Sequence, residues 1–140
     1  MAETIGFVGL GNIGGPMAGT LLRTFKSATV FDLDTARMQA LVPEGGMPAG
    51  SLANLARASS VILLSLPTSR EVEAVLLGKD GIASAAKPGT LVIDLTSGNP
   101  VASKAMAAAL ADKQIRYIDA GVSGGVAPAQ TGTLGIMIGG

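Results

Sequence analysis

Three glycines at fixed spacing, Gly9, Gly11 and Gly14, and a carboxylate 18 residues beyond the last of them, Asp32, are the side chains best suited to hold a ligand. The glycines stand in Thr4-Ile5-Gly6-Phe7-Val8-Gly9-Leu10-Gly11-Asn12-Ile13-Gly14. There an apolar run of strand type passes straight into Gly-x-Gly-x-x-Gly, and a helix-patterned stretch over 15–23 follows without a break. Each glycine answers a separate need of a pyrophosphate site. Gly9 permits a tight turn out of the strand, Gly11 presents bare backbone to the phosphates, and Gly14 lets helix and strand pack closely. The free N–H groups opening the helix face the anion. Asp32 closes the next strand-like run, Ala28-Thr29-Val30-Phe31. A carboxylate there accepts hydrogen bonds from adenosine ribose hydroxyls and repels a 2′-phosphate. Leu33 follows it, where an Arg would favour that phosphate. The chemistry implied is binding of NAD.

The glycine spacing alone is a weak signal. With 20 Gly in 140 residues, about 0.4 matches per chain arise by chance, so the flanking strand and helix carry the inference. Strands are expected over 4–8, 28–32, 61–66, 91–94 and 115–119, with a short one near 47–49. The run Val61-Ile62-Leu63-Leu64-Ser65-Leu66 is apolar on both faces, as a central parallel strand requires. Helix starts are marked by side chains that can cap them: Asp34 before Thr35, Ser51 before 52–58, Thr68 with Glu71 as a capping box, and Asn99 followed by Pro100. Lys79-Asp80-Gly81 and Lys87-Pro88-Gly89 read as turns. Alternating strands and helices imply an α/β, Rossmann-type doubly wound, mostly parallel sheet with helices on both faces. Ligands of such a sheet bind beyond the carboxyl ends of its strands. Five loops converge there: 9–14, Asp32-Leu33, Leu66-Pro67-Thr68, Thr96-Ser97 and 121–125. Each alone is ordinary turn chemistry; their common edge favours a site.

Composition narrows the partners. Lys plus Arg equals Asp plus Glu at 10 each, without blocks of like charge, so neither nucleic acid nor an anionic membrane is expected. There is no Cys and no His, which removes thiol chemistry and the commonest general base and metal ligand. No apolar run approaches the ~20 residues of a membrane span. The first strand opens within a few residues of Met1, so a targeting peptide is not expected and the cytoplasm is the default compartment. One domain over 1–140 fits the length. Hydrophobic residues are 48% and charged residues 14%, an excess that suggests apolar surface for self-association or for a second domain.

Four ordered motifs resemble the 3-hydroxyisobutyrate dehydrogenase, or β-hydroxyacid dehydrogenase, family across essentially the whole chain. They are Phe7-Val8-Gly9-Leu10-Gly11-Asn12-Ile13-Gly14-Gly15-Pro16-Met17-Ala18, Leu66-Pro67-Thr68-Ser69, Asp94-Leu95-Thr96-Ser97-Gly98-Asn99-Pro100, and Asp119-Ala120-Gly121-Val122-Ser123-Gly124-Gly125 with Ala129, Gly132-Thr133-Leu134 and Gly139-Gly140. The resemblance implies hydride transfer between NAD and a small 3-hydroxy acid such as 3-hydroxyisobutyrate. Leu10, Gly11, Asn12 and Ile13 would hold the pyrophosphate, with Leu66, Pro67 and Thr68 as a second cofactor loop and Thr96 near the nicotinamide. Ser123 with the backbone N–H groups of Gly124 and Gly125 would take the substrate carboxylate. The family's catalytic Lys lies in a helical domain beyond the point reached by residue 140. No catalytic residue is therefore expected here, and the 140 residues alone are expected to be a fragment with little activity. Lys104 and Lys113 sit on a helix away from the ligand edge. A Tyr-x-x-x-Lys pair is absent, since Tyr117 is followed by Gly121 at that spacing.

The chain departs from the family's usual pattern at Ile13, Thr20 and Gly121, where Met, Asn and Pro are commoner. Gly121-Val122-Ser123-Gly124-Gly125 is similar to the 6-phosphogluconate dehydrogenases. Their usual Asn-Arg-Thr, which suits a 2′-phosphate, is replaced by Asp32-Leu33-Asp34. Two alternatives stay open at this level: a non-catalytic NAD-binding module, and a domain of a 6-phosphogluconate or semialdehyde-reductase type NADP enzyme.

Overall fold

A computed structural model describes residues 3–123 and 135–139. Its elements are β1 (Ile5–Val8), α1 (Gly14–Phe25), β2 (Ala28–Phe31), α2 (Thr35–Gln39), β3 (Gly46–Pro48), α3 (Leu52–Ala58), β4 (Val61–Leu64), α4 (Ser69–Leu77), β5 (Leu91–Asp94), α5 (Pro100–Ala111), β6 (Arg116–Ser123) and β7 (Gly135–Gly139). The strands form one sheet in the order β3-β2-β1-β4-β5-β6-β7. The first six are parallel, and β7 runs antiparallel to β6. The chain goes outward from β1 to β3, then crosses to β4 and continues the other way. β1 and β4 thus flank the switch point.

Strand alternation divides the core between the two faces. On one, Val8, Ile62, Leu64 and Val92 pack with Leu55 of α3, Leu76 of α4 and Leu110 of α5. On the other, Phe7 and Val30 pack with Ala18 and Leu22 of α1 and Met38 of α2. Each fully buried leucine or phenylalanine here is worth roughly 1.5–3 kcal/mol of transfer free energy.

The expected caps form. Asp34 accepts from the Ala36 N–H, Ser51 from Asn54, Thr68 from Arg70 and Asn99 from Val101. The turn at Gly89 has φ +91° and that at Asp80 φ 57°. Most strand boundaries move by a residue from the sequence pattern, and three departures are larger. β4 stops at Leu64, because beyond Ser65 the chain turns to a side chain: the Leu66 N–H donates to Thr96 Oγ1 at 3.0 Å. β6 extends to Ser123 because β7 pairs with its second half, from Asp119↔Gly139 to Ser123↔Gly135. The glycine-flanked run Gly135-Ile136-Met137-Ile138-Gly139 is that added strand, which local pattern alone did not distinguish from the close of a motif.

One buried polar cluster ties β5 to its neighbours. Asp94, 2% exposed, accepts from the Tyr117 hydroxyl at 2.6 Å and from the Thr96 N–H at 3.0 Å. Burial, reinforced by that carboxylate, pushes the Tyr117 phenol well above its ordinary range.

Candidate functional site

A cleft of about 780 Å³ opens beyond the carboxyl ends of β1, β2 and β4, at the switch point. Its floor is the glycine loop, and the three glycines have different duties. Gly9 adopts φ +96°, and a Cβ there would overlap the Ser65 carbonyl oxygen. A Cβ on Gly14 would overlap the Gly9 carbonyl oxygen and lie 3.1 Å from Ser65 Cβ. These two are required by the fold itself. Gly11 is not. A Cβ there would meet only Arg37 Nη1, at 3.8 Å. It would project into open cleft, so the bare backbone at Gly11 leaves room for something outside the protein.

The helix behind that loop agrees. α1 is the only one of the five α-helices among the described residues with no side-chain cap, and it has no acidic residue in its first turn. Ile13 stands at its N-cap position, and Asn12 beside it is exposed. Of its opening residues, Gly15 donates its N–H to the Gly11 carbonyl at 2.9 Å and Pro16 has none, so the N–H of Gly14 and those of Asn12 and Ile13 before it are left to solvent or to an anion, which the helix dipole favours there.

Asp32 closes the other end of the cleft. Its Oδ2 accepts from the Leu10 N–H at 2.8 Å and its Oδ1 from the Asp34 N–H at 2.8 Å. A carboxylate has about four acceptor positions, so two backbone donors orient it and leave capacity for ribose hydroxyls. The Arg37 Nη1 lies 3.9 Å from Asp32 Oδ2, and the Arg37 Nε lies 3.7 Å from Asp34 Oδ2.

Of the residues expected to contact cofactor, Gly9, Gly11, Asn12, Ile13, Gly14, Asp32, Leu33, Leu66 and Pro67 line this one cleft. Leu33 is 92% exposed at its mouth. Three others lie elsewhere. The Leu10 side chain is buried in the core and its N–H is taken by Asp32, so it fastens the loop to β2. Thr96 is buried, with its hydroxyl accepting from Leu66, so it reaches the cleft through the Leu66-Pro67 loop it anchors. Thr68 caps α4 and bonds Glu71; it lines a smaller neighbouring cleft with Ser97, Gly98 and Asn99. That hydrogen bond holds the Glu71 carboxyl below the usual carboxylate range. Ser123 ends β6, and Gly124 and Gly125 lie outside the described residues. The lining holds no lysine among the described residues, and no group of three or more potential metal ligands occurs among them.

Arg37 and Glu71 also face the cleft and were not anticipated as site residues. Arg37 was legible in principle: a helix starting after the Asp34 cap places it within reach of that carboxylate three residues on. Glu71 was visible as a capping-box residue, but its proximity to Pro67 follows only from the β4–α4 turn.

Residues 4–140 match the family model described as the NAD binding domain of 6-phosphogluconate dehydrogenase. The chain is 43% identical over 135 residues to 2-(hydroxymethyl)glutarate dehydrogenase of Eubacterium barkeri, covering 96% of this chain and 45% of that protein. The Mycobacterium tuberculosis 3-hydroxyisobutyrate dehydrogenase, solved with L-serine, superposes with a TM-score of 0.91 at 31% identity, over 100% of this chain and 47% of that one. Psf3, solved with NADP+ and 2-OPP, superposes with a TM-score of 0.91 at 28% identity, over 96% and 48%. The chain spans about half the length of the curated relatives it matches. No described helix is long and apolar enough to cross a membrane. The chain therefore belongs to this NAD(P)-binding family, as the N-terminal dinucleotide-binding domain of the 3-hydroxyisobutyrate dehydrogenase type of hydroxyacid dehydrogenase.

Proposed function

We propose that this domain binds NAD, in preference to NADP, for a dehydrogenase that oxidises a small 3-hydroxy acid such as 3-hydroxyisobutyrate. The observation that carries the reading is the pairing, across one cleft, of an uncapped helix start behind Gly11 with a carboxylate at Asp32. The opening amides of α1 would face the pyrophosphate and Asp32 the adenosine ribose, with Leu33 as an apolar surface at the adenine end. Leu66-Pro67, held by Thr96, would flank the path toward the nicotinamide. The bound cofactor would supply the hydride acceptor, and the protein placement and charge complementarity.

The substrate carboxylate would sit against Ser123 and the backbone N–H groups of Gly124 and Gly125. The catalytic Lys would come from a helical domain outside the 140 residues, against which the apolar excess of this domain would pack; homodimer formation is the other use for that surface. The cytoplasm is the compartment this reading assigns. The test is calorimetric titration with NAD+, NADP+ and ADP-ribose, followed by an NADH-forming assay on 3-hydroxyisobutyrate with the protein that carries this domain. Saturable binding with NAD+ tighter than NADP+, plus turnover on the 3-hydroxy acid, is expected. NADP+ preference would overturn the role of Asp32, and failure of every 3-hydroxy acid would overturn the reaction.

A further inference from the structure

We infer that Arg37 is a reserve phosphate-binding group, kept from a 2′-phosphorylated dinucleotide chiefly by the carboxylate of Asp32. The inference rests on the dinucleotide reading above and extends it to the residue that decides between the two cofactors.

The geometry gives Arg37 a central place at that end of the cleft. Its guanidinium reaches from Asp32 and Asp34, at 3.9 and 3.7 Å, to the open space over Gly11. Both ion pairs are too long for hydrogen bonds. The Arg37 and Asp34 side chains are about half exposed, at 50% and 53%. Exposed pairs of this kind are worth about 0–1 kcal/mol, so little holds the guanidinium where it rests. Asp32 is the opposite case. Its side chain is 12% exposed and oriented by two backbone N–H groups at 2.8 Å. Two carboxylates against one guanidinium leave the pocket with a local charge of about −1, which opposes a phosphate carrying about −1.5 to −2. Removal of the Asp32 charge brings that balance to zero. The guanidinium fork then keeps only the long, exposed pair to Asp34 as a rival for a phosphate it matches bidentately.

Asp32→Asn is the informative variant: its amide oxygen can still accept from the Leu10 N–H, while its NH2 gives up the bond from the Asp34 N–H. The 140-residue chain, the Asp32→Asn and Arg37→Gln variants and the double variant are titrated with NAD+ and NADP+. The expected result is a roughly 10- to 100-fold shift toward NADP+ in the ratio of dissociation constants for Asp32→Asn, the scale of one charged hydrogen bond. In the double variant most of that shift disappears. In the Asp32→Asn background, Arg37→Gln weakens NADP+ by about tenfold or more and NAD+ by less. If Asp32→Asn unfolds the loop, Asp34→Asn answers the same question. It leaves the Leu10–Asp32 bond in place, frees Arg37, and should give a smaller shift toward NADP+ that Arg37→Gln again cancels.

A gain in NADP+ affinity that survives Arg37→Gln would overturn the inference and assign the phosphate to the helix amides. Equal losses of NAD+ and NADP+ on Arg37→Gln would also overturn it, making Arg37 a contact to the adenosine itself. A starting chain that prefers NADP+, or binds neither dinucleotide, would sink the NAD reading and this inference with it. A starting chain that prefers NAD+ confines any failure to Arg37.

Discussion

The N-termini of α1 and α5 are built from opposite materials. α5 begins with Asn99, whose side chain accepts from the Val101 N–H, and Pro100, which removes a donor outright. Its end is also tied to α4, since the Asn99 N–H donates to Ser69 Oγ at 2.9 Å. α1 begins with an aliphatic residue and two glycines ahead of its own Pro16; the Gly15 N–H meets the Gly11 carbonyl at 2.9 Å, but no side chain accepts from the N–H of Gly14. Both helices run 12 residues and pack on the same sheet, so length and burial do not explain the contrast. A helix leaves its first N–H groups without internal partners, and a chain has two remedies. It can supply an acceptor itself, or leave the position for one from outside. α5 takes the first course. α1 takes the second, at the edge of the sheet where Asp32 also points.

The glycines allow the strongest challenge to this contrast. Gly14→Ala places a methyl against the Gly9 carbonyl and Ser65. It should lower the unfolding free energy by about 3 kcal/mol in denaturant titration. A loss below about 1 kcal/mol would mean the strand–helix corner is looser than the geometry requires.

Gly11→Val comes next and separates packing from binding. The Cβ it adds meets no protein atom closer than Arg37 Nη1 at 3.8 Å, so stability should stay within about 0.5 kcal/mol. NAD+ affinity should still fall by more than about tenfold, or about 1.4 kcal/mol. Equal affinity would show that nothing approaches the backbone there. At the capped end, Asn99→Ala should cost about 1 kcal/mol of stability while the NAD+ dissociation constant changes by less than about twofold. A large loss of binding would erase the distinction between the two helix starts.

The smallest effect at neutral pH concerns the support behind the cleft. Tyr117 is the sole tyrosine, so its phenolate absorbance is unambiguous. Its raised pKa means the folded state favours the neutral phenol. That contribution is fully present below the unfolded value of about 10 and is lost as pH rises through the higher folded value. Phenolate should therefore appear together with unfolding rather than before it. Free titration near pH 10 in the intact fold would contradict the half-buried Tyr117–Asp94 bond.

The contrast between helix starts also explains what could be read before folding. Caps act within three residues, so Asp34, Ser51, Thr68 and Asn99 were legible one at a time, as was the glycine loop. The mostly parallel character of the sheet followed from alternation; the order of its strands did not. The long-range bonds were not legible. No local pattern announces that the Leu10 N–H turns to a carboxylate 22 residues away, or that the Thr96 hydroxyl holds Leu66 across 30. Those two bonds move Leu10 and Thr96 from the cleft wall to its supports. β7 was missed for a similar reason: its pairing with β6 is antiparallel on an otherwise parallel sheet, and only the partner strand selects it.

The central claim is that the uncapped start of α1 seats the dinucleotide phosphates. Backbone amide NMR of the ¹⁵N-labelled chain during titration with NAD+ tests it most directly. The account predicts saturable shifts largest at Gly11, Asn12, Ile13 and Gly14, with smaller ones at Asp32 and Leu33 and little change at Arg70 or Val101. Shifts concentrated at the capped starts of α4 and α5, or none at Gly11 to Gly14 when binding is saturated, would contradict it.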